Sequence, residues 1–123
     1  MTACQTIDRI LARGDLHALF QPVADLQEGR IMGYEGLIRG PSDSPLHAPQ
    51  KLLAEALRAG CLFELDLLCR RVILARFAEL GLQGRLFLNV NPDVLADRNA
   101  VHGMTLQILQ EHGIAAAWHG TIP

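Results

Sequence analysis

The sequence predicts an α/β fold, and two observations carry that prediction. Two apolar, strand-like runs, His17 to Val23 and Ile31 to Arg39, flank a short polar connection and read as an antiparallel hairpin. A third run, Arg85 to Asn91, follows only after a long helical stretch, and such crossovers ordinarily join parallel strands.

Each element has a local reason. Ile7 to Leu11 lie in a short amphipathic segment, a lead-in helix within residues 1–15 that ends near Gly14. The first strand is expected to stop at Pro22 and the polar residues after it. Asp25 to Arg30 is a turn with Gly29 near its end. Gly40 to Pro49 reads as a loop, rich in Gly, Pro, Ser and Asp. Pro49 suits the first turn of a helix, where its missing N–H costs nothing; that helix runs to about Arg58 and stops at Gly60. A longer helix follows, from about Leu62 to Leu80. Leu62, Leu65, Cys69, Ile73, Phe77 and Leu80 recur at spacings of three and four and make its apolar face. Asp66 and Arg70 form an i,i+4 pair, expected on the outer side. After the third strand, Pro92 opens a loop or short helix, and Met104 to Gln110 reads as another helix.

Composition narrows the function classes. The 123 residues are 50% hydrophobic and 20% charged, which fits a packed core and excludes a disordered chain. Eleven Lys and Arg against thirteen Asp and Glu give a net charge of −2, so general electrostatic binding to a nucleic-acid polymer is not expected. Cys4, Cys61 and Cys69 are an odd number without a C-x-x-C pair, and read as free thiols of a reducing, cytoplasmic compartment. No window approaches the roughly 20 apolar residues of a membrane span.

Strand alternation sorts the candidate chemistry. In the second strand Met32, Tyr34, Gly36 and Ile38 share one face, and Glu35, Leu37 and Arg39 share the other. In the third, Leu86, Leu88 and Val90 oppose Phe87, Asn89 and Asn91. Both strands thus carry polar groups near their C-terminal ends, where parallel α/β sheets build sites. Glu35 and Asn89 are hard oxygen donors suited to Mg²⁺ or Mn²⁺, and Arg39 suits a phosphate. The residues alone leave alternatives open: a surface ion pair of Glu35 with Arg39, and turn-capping by Asn89 and Asn91. His17, His47, His102, His112 and His119 lack metal-ligand spacing, and Ser42 and Ser44 read as turn formers. No P-loop, G-x-G-x-x-G or G-x-S-x-G occurs, and no residue is assigned as a catalytic acid, base or nucleophile.

Phe20 to Arg39, FQPVADLQEGRIMGYEGLIR, resembles the start of an EAL domain. The signature glutamate, alanine and leucine stand here as Glu35, Gly36 and Leu37, so the middle residue departs, while the wider E-x-L-x-R pattern is intact through Arg39. Leu52 to Asp66 is similar to the family's early helices, and LFLNVNPDVL, Leu86 to Leu95, to its third-strand segment. Asn91 falls where serine is commoner. The resemblance spans residues 16–114, leaving 115–123 as a tail without family pattern.

The resemblance implies a partial TIM-barrel-like fold with an antiparallel first strand. It implies a bacterial signal-transduction enzyme, a phosphodiesterase that hydrolyses cyclic di-GMP to pGpG with two Mg²⁺ or Mn²⁺ ions. Glu35 and Asn89 would ligate metal, Arg39 would contact a substrate phosphate, and Gln21 and Leu37 would line the nucleotide pocket. A whole barrel typically needs roughly 250 residues, about twice this chain's 123. The later acidic ligands and the lysine of the family find no counterpart, and the abrupt end of similarity is read as a shifted reading frame, a gene truncation or a cloning boundary. The isolated chain is therefore expected to be a poor phosphodiesterase. The alternative is a non-catalytic module that binds the nucleotide or, through its open half-barrel, a protein partner or a second copy.

Overall fold

The computed structural model describes residues 2–89 and 119–121. In chain order the elements are α1 (Ala3–Arg13), β1 (His17–Asp25), β2 (Arg30–Arg39), α2 (Pro49–Ala59), α3 (Leu62–Leu80), β3 (Arg85–Asn89) and β4 (His119–Thr121). Among the described residues the strands form one sheet in the order β1-β2-β3-β4. β1 and β2 pair antiparallel, whereas β2–β3 and β3–β4 are parallel. The α2–α3 crossover therefore does join parallel strands. Val90, Asn91, the loop at Pro92 and the expected helix at Met104 to Gln110 lie outside the described residues.

Local chemistry fixes most boundaries. α1 begins with a reciprocal cap: the Gln5 amide donates to Thr2 Oγ1 at 3.2 Å and the Thr2 amide donates to Gln5 Oε1 at 2.9 Å. It ends on Gly14, whose φ of 70° is the left-handed conformation a helix C-terminus favours. Pro49 opens α2 as expected, and Gly60 and Gly81 close α2 and α3. In the hairpin turn Asp25 Oδ1 accepts from the amides of Gln27 and Glu28 at 3.0 and 3.2 Å.

Two boundaries differ from the sequence reading. β1 does not stop at Pro22 but runs to Asp25, with Pro22 opposite Tyr34. An edge strand tolerates the missing N–H that would interrupt a central one. β4 lies in the segment read as a tail, where it pairs with the outer side of β3.

The core lies on one side of the sheet in two parts. Ile7, Ile10, Leu16, Leu46, Leu52, Ala56 and Leu65 bind α1 to α2 and the start of α3. Ile73, Leu74 and Phe77 of α3 pack on Leu86 and Leu88, with Ala18, Phe20 and Tyr34 beside them. The Phe20 and Phe77 rings meet at a centroid distance of 5.8 Å and 57°, a tilted aromatic contact.

The face expected for α3 is corrected in two places. Leu80, the last residue of the helix, is 47% exposed, and Leu74 joins the core instead. The Asp66–Arg70 pair is not on the outer side: Arg70 is 3% exposed and its Nε donates to Asp66 Oδ2 at 2.8 Å. α3 touches α1, α2, β1 and β2, so more than one of its sides is covered. No disulfide forms among the three cysteines. Among the described residues no helix is long and apolar enough to cross a membrane.

Candidate functional site

The two faces of the sheet have different neighbours. A Cβ built on Gly36 would point straight at Ile73 of α3, so the even positions of β2 meet the helices. Glu35, Leu37 and Arg39 alternate to the opposite face.

The hairpin register decides what stands beside them. Next to the turn, Asp25 pairs with Arg30 and Ala24 with Ile31. Between Val23 and Ala24 the register shifts by one residue. Beyond that bulge Val23 pairs with Gly33, Gln21 with Glu35, Leu19 with Leu37 and His17 with Arg39. Without the shift Gln21 would fall opposite Tyr34, on the helix face, because a one-residue slip turns every side chain over. On the other flank Phe87 of β3 is in register with Glu35. Gln21, Glu35 and Phe87 thus form a row across three strands. Directly opposite residues of an antiparallel pair hold their Cβ atoms roughly 5 Å apart.

Leu37 continues the face toward the C-terminal end of β2, with Leu19 opposite it and 50% exposed. Arg39 ends the strand, and its Nη1 donates to the Ile38 carbonyl at 2.9 Å. Asn89 closes β3, one step beyond the Leu88–Gly36 register pair. Strand spacing and rise set the backbones of Glu35 and Asn89 roughly 8 Å apart on the diagonal. The structure therefore gathers Gln21, Glu35 and Leu37 on one patch, sets Arg39 at its rim, and brings the backbone of Asn89 to the same end. The cross-strand neighbours Leu19 and Phe87 were not singled out from sequence, although their alternation was readable once the register was known.

The donor chemistry suits a hard divalent cation, but its number is small. Glu35 is the one carboxylate on this face of β1, β2 and β3 among the described residues. Among those residues no cluster of three His, Cys, Asp or Glu could hold a metal ion.

Behind the end of β2 the helix side is apolar. A cavity of about 220 Å³ is lined by Gly36 to Arg39 of β2, by Pro49, Leu52 and Leu53 of α2, and by Cys69 and Ile73 of α3. Burial first, and then the Asp66 carboxylate, push the Cys69 thiol up to about 12. Such a thiol stays protonated at neutral pH and packs rather than reacts. In the loop before α2, Ser44 Oγ donates to the Pro41 carbonyl at 2.8 Å, the turn-forming role expected of it.

The model of the EAL domain family matches residues 5–119. The chain belongs to the EAL domain family. No curated protein matches it. Among solved structures it is similar to the EAL domain of Xanthomonas citri FimX in complex with cyclic di-GMP, at 17% identity and a TM-score of 0.78. The match covers 97% of this chain and 47% of that one. The FimX EAL domain from Pseudomonas aeruginosa bound to cyclic di-GMP matches at 23% identity and a TM-score of 0.76, covering 98% of this chain and 50% of that chain. Klebsiella pneumoniae BlrP1, as a manganese and cyclic di-GMP complex, matches at 22% and 0.71, covering 88% of this chain and 26% of that one. A calcium complex of BlrP1 matches equally. The likeness shows the fold, a partial TIM-barrel-like α/β arrangement with an antiparallel first strand. The chain spans about half the length of the FimX EAL domains.

Proposed function

We propose that this EAL chain carries one wall of a cyclic di-GMP site of the phosphodiesterase type, and that the 123-residue polypeptide binds the nucleotide without turning it over. The observation that carries the reading is the row of Gln21, Glu35 and Phe87 on the sheet face turned away from the helices, continued by Leu37 and Arg39. Glu35 and Asn89 would hold a divalent cation, Arg39 would meet a phosphate, and Gln21 and Leu37 would line the nucleotide pocket. Family membership and the cyclic di-GMP complexes among its structural neighbours support this assignment.

The proposed lack of turnover is motivated by the small number of ligands among the described residues. A two-metal phosphodiester hydrolysis needs several oxygen ligands around each ion to activate water and neutralise phosphoryl charge. The described face offers one carboxylate.

A thermal melt with Mg²⁺ and increasing cyclic di-GMP tests the binding, because a ligand of the folded state raises the midpoint by mass action. A rise that disappears in Glu35→Ala, with no pGpG formed, is the expected result. No rise in the unsubstituted chain overturns the binding, and Mg²⁺-dependent pGpG formation lost in Glu35→Ala overturns the inactivity. A second reading, a protein-binding module, is favoured by the half-exposed Leu19 on the same face. Sedimentation of the chain at increasing concentration tests its self-associating form.

A further inference from the structure

Gly36 stands where the family signature has alanine, and the structure shows what fills the space. A Cβ at position 36 would lie 2.6 Å from Cγ2 of Ile73 and 3.3 Å from its Cδ1. No real methyl sits that close to another carbon. Ile73 is 6% exposed and packs with Leu74, Phe77, Leu86 and Leu88. Being β-branched and helical, it has essentially one χ1 position, so its Cγ2 cannot swing aside. An alanine at 36 must therefore push β2 off α3 or drive Ile73 out of its rotamer.

The position makes this consequential. Gly36 pairs with Phe20 on one side and Leu88 on the other, and its chain neighbours are Glu35 and Leu37. Any lift of β2 here moves Glu35 relative to Gln21 and Phe87. We propose that Gly36 and Ile73 are a matched pair that seats β2 on α3 and sets the position of the Glu35 carboxylate, which makes Ile73 a positioning residue for the nucleotide face. The bearing on ligand rests on the function proposed above. The seat itself does not.

Four variants separate the two: Gly36→Ala, Ile73→Leu, and Gly36→Ala combined with either Ile73→Leu or Ile73→Val. Leucine keeps the volume of isoleucine but lacks the offending Cγ2, whereas valine keeps it. The readouts are the melting midpoint, the ¹³C resonance of the Glu35 carboxylate, and cyclic di-GMP affinity with Mg²⁺. Gly36→Ala is expected to lower the midpoint by roughly 5–15 °C, to move the Glu35 resonance, and to weaken binding about tenfold. Adding Ile73→Leu restores the resonance and the binding, and adding Ile73→Val does not. Ile73→Leu alone removes the methyl that fills the space over Gly36 and is expected to move the Glu35 resonance in part, by less than Gly36→Ala does.

The proposal is overturned if Gly36→Ala leaves that resonance unmoved, or if leucine and valine at 73 rescue equally. If Gly36→Ala does not fold, the contrast between the two double variants still decides. If the unsubstituted chain binds no nucleotide, the functional reading of the face fails, while the resonance and the midpoint still judge the seat.

Discussion

The two faces of β1, β2 and β3 alternate along the same strands yet have different neighbours. Facing the helices, Phe20, Leu86 and Leu88 pack with Ile73, Leu74 and Phe77, and Gly36 lies against Ile73. On the other side Gln21 is exposed, Leu19 is half exposed, and Glu35 stands between Gln21 and Phe87. Alternation along a strand lets one residue serve the core while the next is available to a ligand. The difference teaches that a side chain on one face can be changed without touching the packing on the other, position by position.

Substitutions ranked by expected effect sharpen that separation. The largest loss is expected on the helix side. Leu74 is fully buried, and Leu74→Ala removes its contacts and leaves a cavity costing about 3–5 kcal/mol. Urea unfolding measures it, and a change below about 1 kcal/mol would show that this half of the core is not closely packed. Next is the buried pair on α3. Asp66→Ala removes the carboxylate that accepts from Arg70 Nε, and a hydrogen bond to a charged group of this kind contributes about 1.5–3 kcal/mol. The same unfolding experiment reads it.

An intermediate effect depends on pH. The Cys69 thiol is raised from its ordinary 9.0 to about 12, chiefly by burial. The folded chain therefore holds this proton more tightly than the unfolded chain. Its contribution to stability is complete below pH 9.0 and is lost as pH rises toward 12. Unfolding midpoints measured across that window should fall more steeply for the unsubstituted chain than for Cys69→Ala. Equal slopes would show that the thiol is not sequestered.

The smallest effects on stability are expected on the open face. Leu19→Ser and Gln21→Ala should change unfolding free energy by no more than about 0.5 kcal/mol. Gln21→Ala should nevertheless weaken cyclic di-GMP binding in the same preparation, read by titration calorimetry. A large stability loss at either position would erase the contrast between the faces.

Much of this arrangement was legible because single residues carry strong local signals. Pro49, Gly60 and Gly81 punctuate α2 and α3, and Asp25 and Gly29 mark the hairpin turn. The face shared by Glu35, Leu37 and Arg39 follows from alternation alone. What pattern could not reach was tertiary. An Asp and an Arg four apart look the same on an exposed helix face and on the buried one that Asp66 and Arg70 occupy. β1 runs past Pro22 at the edge of the sheet among the described residues, a fact of sheet order rather than of composition. Gln21 stands opposite Glu35 only because one register shift intervenes between Val23 and Ala24. The glycine at 36 reads as a departure from a signature until Ile73 is seen to fill the space.

The most direct test of the two-faced account is a methyl NMR titration of the chain with cyclic di-GMP in the presence of Mg²⁺. The account predicts that the Leu19 and Leu37 methyl resonances shift with ligand, while those of Ile73, Leu74 and Leu88 hold their positions. Shifts confined to the helix-side methyls, or none at all at saturating nucleotide, would contradict it.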